Sequence, residues 1–147
     1  MKSRSRKIGK IASLVAAEER RLGQMAGRSR QHLEEQLDQL GELNAFRHNY
    51  AKKSTTASNV SSAHWQDYQS FLHRLDTAVR AQQQIVRDSE RMLETHRKRW
   101  IAKRQRLESL ERVLEKYKIE ERVQEARQEQ KQLDELPNSQ AAFLDDE

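Results

Sequence analysis

The stretch Phe71–Leu114, FLHRLDTAVRAQQQIVRDSERMLETHRKRWIAKRQRLESLERVL, decides the fold. Leu72, Val79, Val86, Leu93, Trp100, Leu107 and Leu114 stand seven residues apart in it, with no polar residue breaking the column. A heptad repeat sustained this long specifies a straight α-helix that lays one stripe against a partner helix. A chain organised around one seam offers no deep pocket for chemistry, so the pattern points to a mechanical or adaptor role. With that column as position a, position d reads Leu75, Gln82, Ser89, His96, Lys103, Leu110 and Tyr117. Position g reads Phe71, Ala78, Ile85, Met92, Arg99, Arg106 and Val113. Four polar residues in succession make d a poor half of a seam. Two readings follow. Either the seam drifts from a/d toward a/g, or Phe71, Leu75, Ala78 and Met92 join Leu40 and Leu43 of the preceding helix as a docking surface.

Upstream, the apolar positions Ile8, Ile11, Val15, Leu22, Met25, Leu33, Leu37, Leu40, Leu43, Phe46 and Tyr50 predict a first helix over about 8–53. Its phase slips between Met25 and Leu33, and Ile11, Leu22 and Leu33 keep an eleven-residue spacing that relaxes a left-handed supercoil. Gly23, Gly27 and Gly41 each weaken this helix by about 1 kcal/mol relative to alanine. The hydroxyl-rich segment 54–62 reads as a turn, with Ser61 or Ser62 available to cap a second helix over about 63–136 and Asp67 near its positive end. Pro137 marks the end of that helix, ahead of an acidic flexible tail over 137–147. The short turn makes the helices antiparallel. The expected fold is therefore all-α: one long antiparallel two-helix coiled coil, a helical hairpin whose second helix is the longer. Centring the turn near Ala57 pairs residues whose numbers sum to about 115. Leu43 then meets Leu72, Leu40 meets Leu75, Leu22 meets Leu93, Val15 meets Trp100 and Ile8 meets Leu107.

Composition agrees. Of the 147 residues, 35% are charged and only 35% hydrophobic, which suits long helices rather than layers around a thick core. There is no cysteine, so disulfides and thiolate chemistry are excluded. The longest nearly apolar run, Ile11–Ala17, falls far short of the ~20 residues that span a bilayer. A net charge of +5 predicts attraction to anionic surfaces. Residues 1–17 hold five bases and no acid, a composition shared by transit peptides and by the opening turns of a basic helix. The helical spacing of Ile8, Ile11, Val15 and Leu22 favours the latter.

Arg97–Arg106 carries six bases in ten residues. It resembles a basic zipper superficially, but the heptads begin upstream of it and Trp100 sits in the seam. Nucleic acid, a plain solvated face and an acidic protein surface are the three readings of that run. A structural homodimer is a further reading of the whole chain. Catalysis has no support: His32, His48, His64, His73 and His96 form no i,i+4 pair, no glycine-rich phosphate loop follows a strand, and no metal or cofactor is expected.

Three motifs carry a family resemblance. Glu34-Glu35-Gln36-Leu37, then Trp65-Gln66-Asp67-Tyr68-Gln69-Ser70-Phe71-Leu72, then Arg99-Trp100 with Lys103-Arg104-Gln105-Arg106-Leu107 are similar to the flagellar export family FliJ, over about Ile8 to Phe143. The resemblance implies a non-enzymatic central stalk and adaptor of the flagellar type III protein export apparatus. It implies cytoplasmic placement at the inner face of the cell membrane and a chain that is monomeric alone. The partners implied are the FliI ATPase hexamer, the FlhA export gate, FliH and the export chaperones, with no nucleic acid. The family's gate-binding face falls here on Gln36, Leu40, Leu43, Arg47, Phe71, Leu75, Ala78 and Gln82. Leu43, Arg47 and Gln82 depart from an aromatic or histidine preference, with Phe46 and Tyr50 close by. The end carrying both termini would enter the ATPase ring, presenting Lys7, Lys10, Arg99, Lys103, Arg104 and Arg106.

Overall fold

Seam positions on both helices follow steps of three and four residues throughout. The computed structural model describes the backbone of residues 2–56 and 61–144, and the side chains of 4–53 and 61–136. Two helices make up that backbone, α1 (Lys2–Thr56) and the longer α2 (Ser62–Leu144), packed antiparallel as a helical hairpin. Ser61 is the cap: its Oγ accepts from the His64 N–H at 3.3 Å and its carbonyl from the Trp65 N–H at 3.0 Å. One donor left orphaned by the start of α2, the His64 N–H, is thereby satisfied, and the Ser61 carbonyl takes the first intrahelical bond. No acid lies in the first turn of α2, so Asp67 is too far along to serve the dipole there.

The helix bounds are wider than the sequence pattern suggested. α1 opens at Lys2, ahead of Ile8, and α2 passes Pro137 to reach Leu144. A proline removes one backbone donor and crowds the preceding turn, which weakens a helix locally without forbidding its continuation. Of the expected turn, residues 57–60 lie outside the described residues, as do residues 145–147 of the expected tail.

Contacts gather into two compact units, residues 20–101 and residues 1–19 with 102–147. In the first, α1 turns Leu22, Ala26, Ser29, Leu33, Gln36, Leu40, Leu43 and Tyr50 inward. α2 answers with Leu72, Leu75, Val79, Gln82, Val86, Ser89, Leu93, His96 and Trp100. Near the start of α2 the seam also takes in Phe71 and Ala78 of position g, both half-buried, and from Val79 onward it runs on a and d. The polar d column is not excluded from it: Gln82 is 7% exposed and Ser89 5%, as buried as Val79 at 8%. The g column is exposed from Ile85 on, with Ile85 at 43% and Met92 at 55%. The drift toward a/g therefore does not occur. Gln82 satisfies its amide by donating to the Gln36 carbonyl at 3.0 Å and to Gln36 Oε1 at 2.8 Å. Ser89 returns its hydroxyl proton to the Ile85 carbonyl at 2.8 Å. Gln82 and Ser89 thus enter the seam with hydrogen bonds already made, which removes most of the burial penalty.

The phase slip in α1 is also absent. Ala26 and Ser29 hold the seam between Leu22 and Leu33, buried at 6% and 9%. Ile11, the anchor of the eleven-residue spacing, is 42% exposed. Small residues stand here because of what α2 brings. A Cβ on Gly23 would lie 3.0 Å from Trp100 Nε1 and 3.4 Å from Cε2. The indole occupies the space that a side chain at 23 would need. Large and small residues on facing helices conserve volume across the seam.

That contact corrects the register. Partner numbers total 118 for Gln36 with Gln82 and for Tyr50 with Tyr68, and 123 for Gly23 with Trp100 and for Arg47 with Asp76, against the expected 115 or so. The pairing is displaced by about one to two helical turns, and the expected partner of Trp100, Val15, gives way to Gly23.

In the second unit Ala12 and Val15 are buried at 7% and 5%. Leu107, Leu110, Leu114 and Tyr117 are half-buried on α2. Polar links close the seam: Lys103 pairs with Glu18, and Ser5 Oγ donates to Glu121 Oε2 at 2.9 Å.

Candidate functional sites

Five of the chain's eight aromatic residues meet in the 20–101 unit. On α2, Trp65, Tyr68 and Phe71 are spaced by three, so they share one face. On α1, Phe46 and Tyr50 are spaced by four and share another. The two faces meet. Tyr50 stacks on Tyr68 with ring centroids 5.0 Å apart and tilts against Phe71 at 4.7 Å. Phe46 meets Phe71 edge-on at 6.4 Å, and Trp65 stacks on Tyr68 at 5.7 Å. The Tyr68 hydroxyl donates to the Tyr50 carbonyl at 3.4 Å. Offset and edge-to-face pairs of this kind contribute about 0.5–1.5 kcal/mol each beyond area burial. The ladder is nevertheless open at both ends, since Trp65 is 50% exposed and Phe46 52%. A shallow groove lined by Gln39, Glu42, Leu43 and Phe46 adjoins it.

The eight residues assigned to gate binding all lie in this unit, and they divide by depth. Leu75 and Gln82 are buried in the seam, with Gln36 half-buried as the partner of Gln82. Leu40, Leu43, Phe71 and Ala78 are half-buried and present their outer edges. Arg47 is exposed and engages Asp76 across the helices. An ion pair this open contributes about 0–1 kcal/mol. Exposed apolar side chains extend the surface beyond the assigned eight, namely Leu37 at 44%, Phe46, Ile85 and Met92. The sequence reading missed the joining of Trp65 and Tyr68 to Phe46 and Tyr50. The three-residue spacing of the W-x-x-Y-Q-x-F block was visible, but its partner face depends on the register.

The cations assigned to the ATPase ring divide too. Lys7, Lys10, Lys103, Arg104 and Arg106 belong to the 1–19 with 102–147 unit, whereas Arg99 belongs to the other. Lys103 is half-buried and held by Glu18, a seam role rather than a surface one. Arg104 lies 3.8 Å from Glu108 on its own helix. Lys7, Lys10 and Arg106 are exposed. Among the described residues, no group of three or more His, Cys, Asp or Glu stands close enough to hold a metal ion. No helix among them is long and apolar enough to cross a membrane.

No solved structure matches the chain. A protein of Escherichia coli strain K12 described as "Flagellar FliJ protein" is 30% identical over 118 residues, which is 80% of this chain and 78% of that protein. The family model described as "Flagellar FliJ protein" matches residues 5–143. The match takes in both helices, the aromatic block that opens α2 and the basic run around Trp100, and the chain belongs to the flagellar FliJ family.

Proposed function

We propose that the chain is a stalk and adaptor of the flagellar type III export apparatus. It promotes assembly and activity of the FliI ATPase ring through its 1–19 with 102–147 unit and docks on the FlhA gate through its 20–101 unit. It works beside FliH, escorts export chaperones, catalyses nothing itself and sits in the cytoplasm at the inner face of the membrane. One observation carries this reading: the residues assigned to the gate fall entirely in one compact unit, and five of the six assigned to the ring fall in the other. The two surfaces also differ in chemistry. One is an open aromatic ladder beside exposed aliphatic residues, suited to a dry contact. The other exposes Lys7, Lys10 and Arg106, suited to steering in an acidic environment.

The test is to add the purified chain to FliI and, separately, to the cytoplasmic domain of FlhA. The ATPase rate rises and gate binding is detected if the reading holds. No effect on either sinks it. Phe46→Ala with Phe71→Ala removes gate binding and leaves ATPase stimulation in place. Loss of both functions together in that variant would mean the hairpin has come apart.

A further inference from the structure

The first turns of α1 combine two features that charge steering does not require together. Residues 4–17 carry Arg4, Arg6, Lys7 and Lys10, and no acid appears before Glu18. Yet Leu14 is 68% exposed and Ile11 42% in the middle of that cationic face. Leu14 also borders a shallow groove lined by Arg6, Gly9, Lys10 and Ser13. Gly9 deepens it, because a Cβ there would meet nothing closer than Leu114 Cδ1 at 4.0 Å. Helical spacing sets Arg6, Lys10 and Leu14 in one row at steps of four. The result is an aliphatic wall and an open floor inside a basic rim.

We propose that this face seats an apolar side chain carried by an acidic protein surface. Leu14 and Ile11 form the dry contact, and Arg6, Lys7 and Lys10 form the charged rim. The inference rests on the stalk reading, which makes the export ATPase the protein proposed to carry this acidic surface. Charge complementarity selects an acidic partner. A protein suits it better than a lipid bilayer, because two protruding aliphatic side chains are few for burying a helix face at the acyl boundary. Wetting of Leu14 and Ile11 is relieved only when a partner covers them.

Binding of the full chain to the cognate FliI ATPase is measured at low and high salt for four proteins: the wild type, Leu14→Ser, Ile11→Ser, and Arg6→Gln with Lys10→Gln. Leu14→Ser weakens binding about tenfold or more at both salt concentrations, because its contribution is apolar burial. Ile11→Ser acts in the same direction. The charge variant weakens binding mainly at low salt, where its field is unscreened. Both serine variants melt with the wild type, because the replaced side chains are exposed. Wild-type affinity in both serine variants overturns the inference and leaves the stalk reading standing. Failure of the wild type to bind FliI at all overturns both. Leu14-dependent binding to vesicles of anionic lipid, with none to FliI, overturns the protein partner in favour of a membrane.

Discussion

Alanine substitution at Gly23 and Gly27 separates helix propensity from the Trp100 contact. Both glycines lie inside α1, and neither has a positive φ. By intrinsic propensity alone, each alanine should stabilise the chain by about 1 kcal/mol. At Gly27 nothing lies within 4 Å of the added Cβ, so the full gain is expected there. At Gly23 the Cβ would stand 3.0 Å from Trp100 Nε1, 3.4 Å from Cε2 and 3.5 Å from Cδ1. Three ring atoms are met at once, so the indole must move as a rigid plate by a few tenths of an ångström. Overpacking in a fixed environment costs about 1–3 kcal/mol. Trp100 is only half-buried and has some room to yield, so the lower part of that range applies. Gly23→Ala is therefore expected to fall between neutral and about 1 kcal/mol destabilising, while Gly27→Ala gains about 1 kcal/mol.

For a chain of this length, each kcal/mol moves the melting midpoint by about 2–4 °C. Circular dichroism at one scan rate resolves the resulting gap between the two variants. Combining Gly23→Ala with Trp100→Phe recovers most of the lost propensity gain, because the smaller ring frees the space. A Gly23→Ala variant as stable as Gly27→Ala would refute the contact. It would also reopen the register that pairs Trp100 with Val15.

Three further outcomes follow from the seam and the cap. His96 Nδ1 is buried without a hydrogen-bond partner among the described residues, so His96→Leu should raise stability by about 1–3 kcal/mol, and an unchanged or lower melting midpoint would contradict it. Gln82→Ala strips both bonds to Gln36 and opens space in the seam, and should cost about 1–3 kcal/mol in urea titration; a neutral result would mean the pair is not formed. Ser61→Ala should cost about 1 kcal/mol through the lost cap, with amide exchange accelerated at His64, and unaltered exchange there would argue against Ser61 as the cap.

The apolar half of the seam was legible in the sequence, because the a column from Leu72 to Leu114 is apolar at each turn. The other half was not. Counting apolar residues skips Ala26 and Ser29 on α1 and Gln82 and Ser89 on α2, yet all four are buried. What admits them is local to each position: the volume of Trp100 against Gly23, the bonds from Gln82 to Gln36, and the hydroxyl of Ser89 turned back on its own helix. The register was illegible for a related reason. A heptad pattern matches itself again after a shift of seven, so apolar pairing alone leaves several registers nearly equal. Size matching at Trp100 and the polar pair at Gln82 break that degeneracy, each at its own level of the hairpin. Each depends on which residues face each other, which no single-helix pattern contains.

The same separation bears on function. Because Gln82 and Ser89 are accommodated at d, the seam beyond Ala78 stays on two columns of α2 and does not widen to use a third. Column g is left outside it from Ile85 on. Its upstream members Ile85 and Met92 are exposed apolar surface, and its downstream members Arg99 and Arg106 are exposed charge. The adaptor role proposed above needs side chains that the fold does not consume. Had Gln82, Ser89, His96 and Lys103 been leucines, a wider seam would gain nothing in selectivity. Had they been excluded, Ile85 and Met92 would have been drawn into the seam to replace them. Gln82 and Ser89, satisfied inside the hairpin, thus leave Ile85 and Met92 outside it.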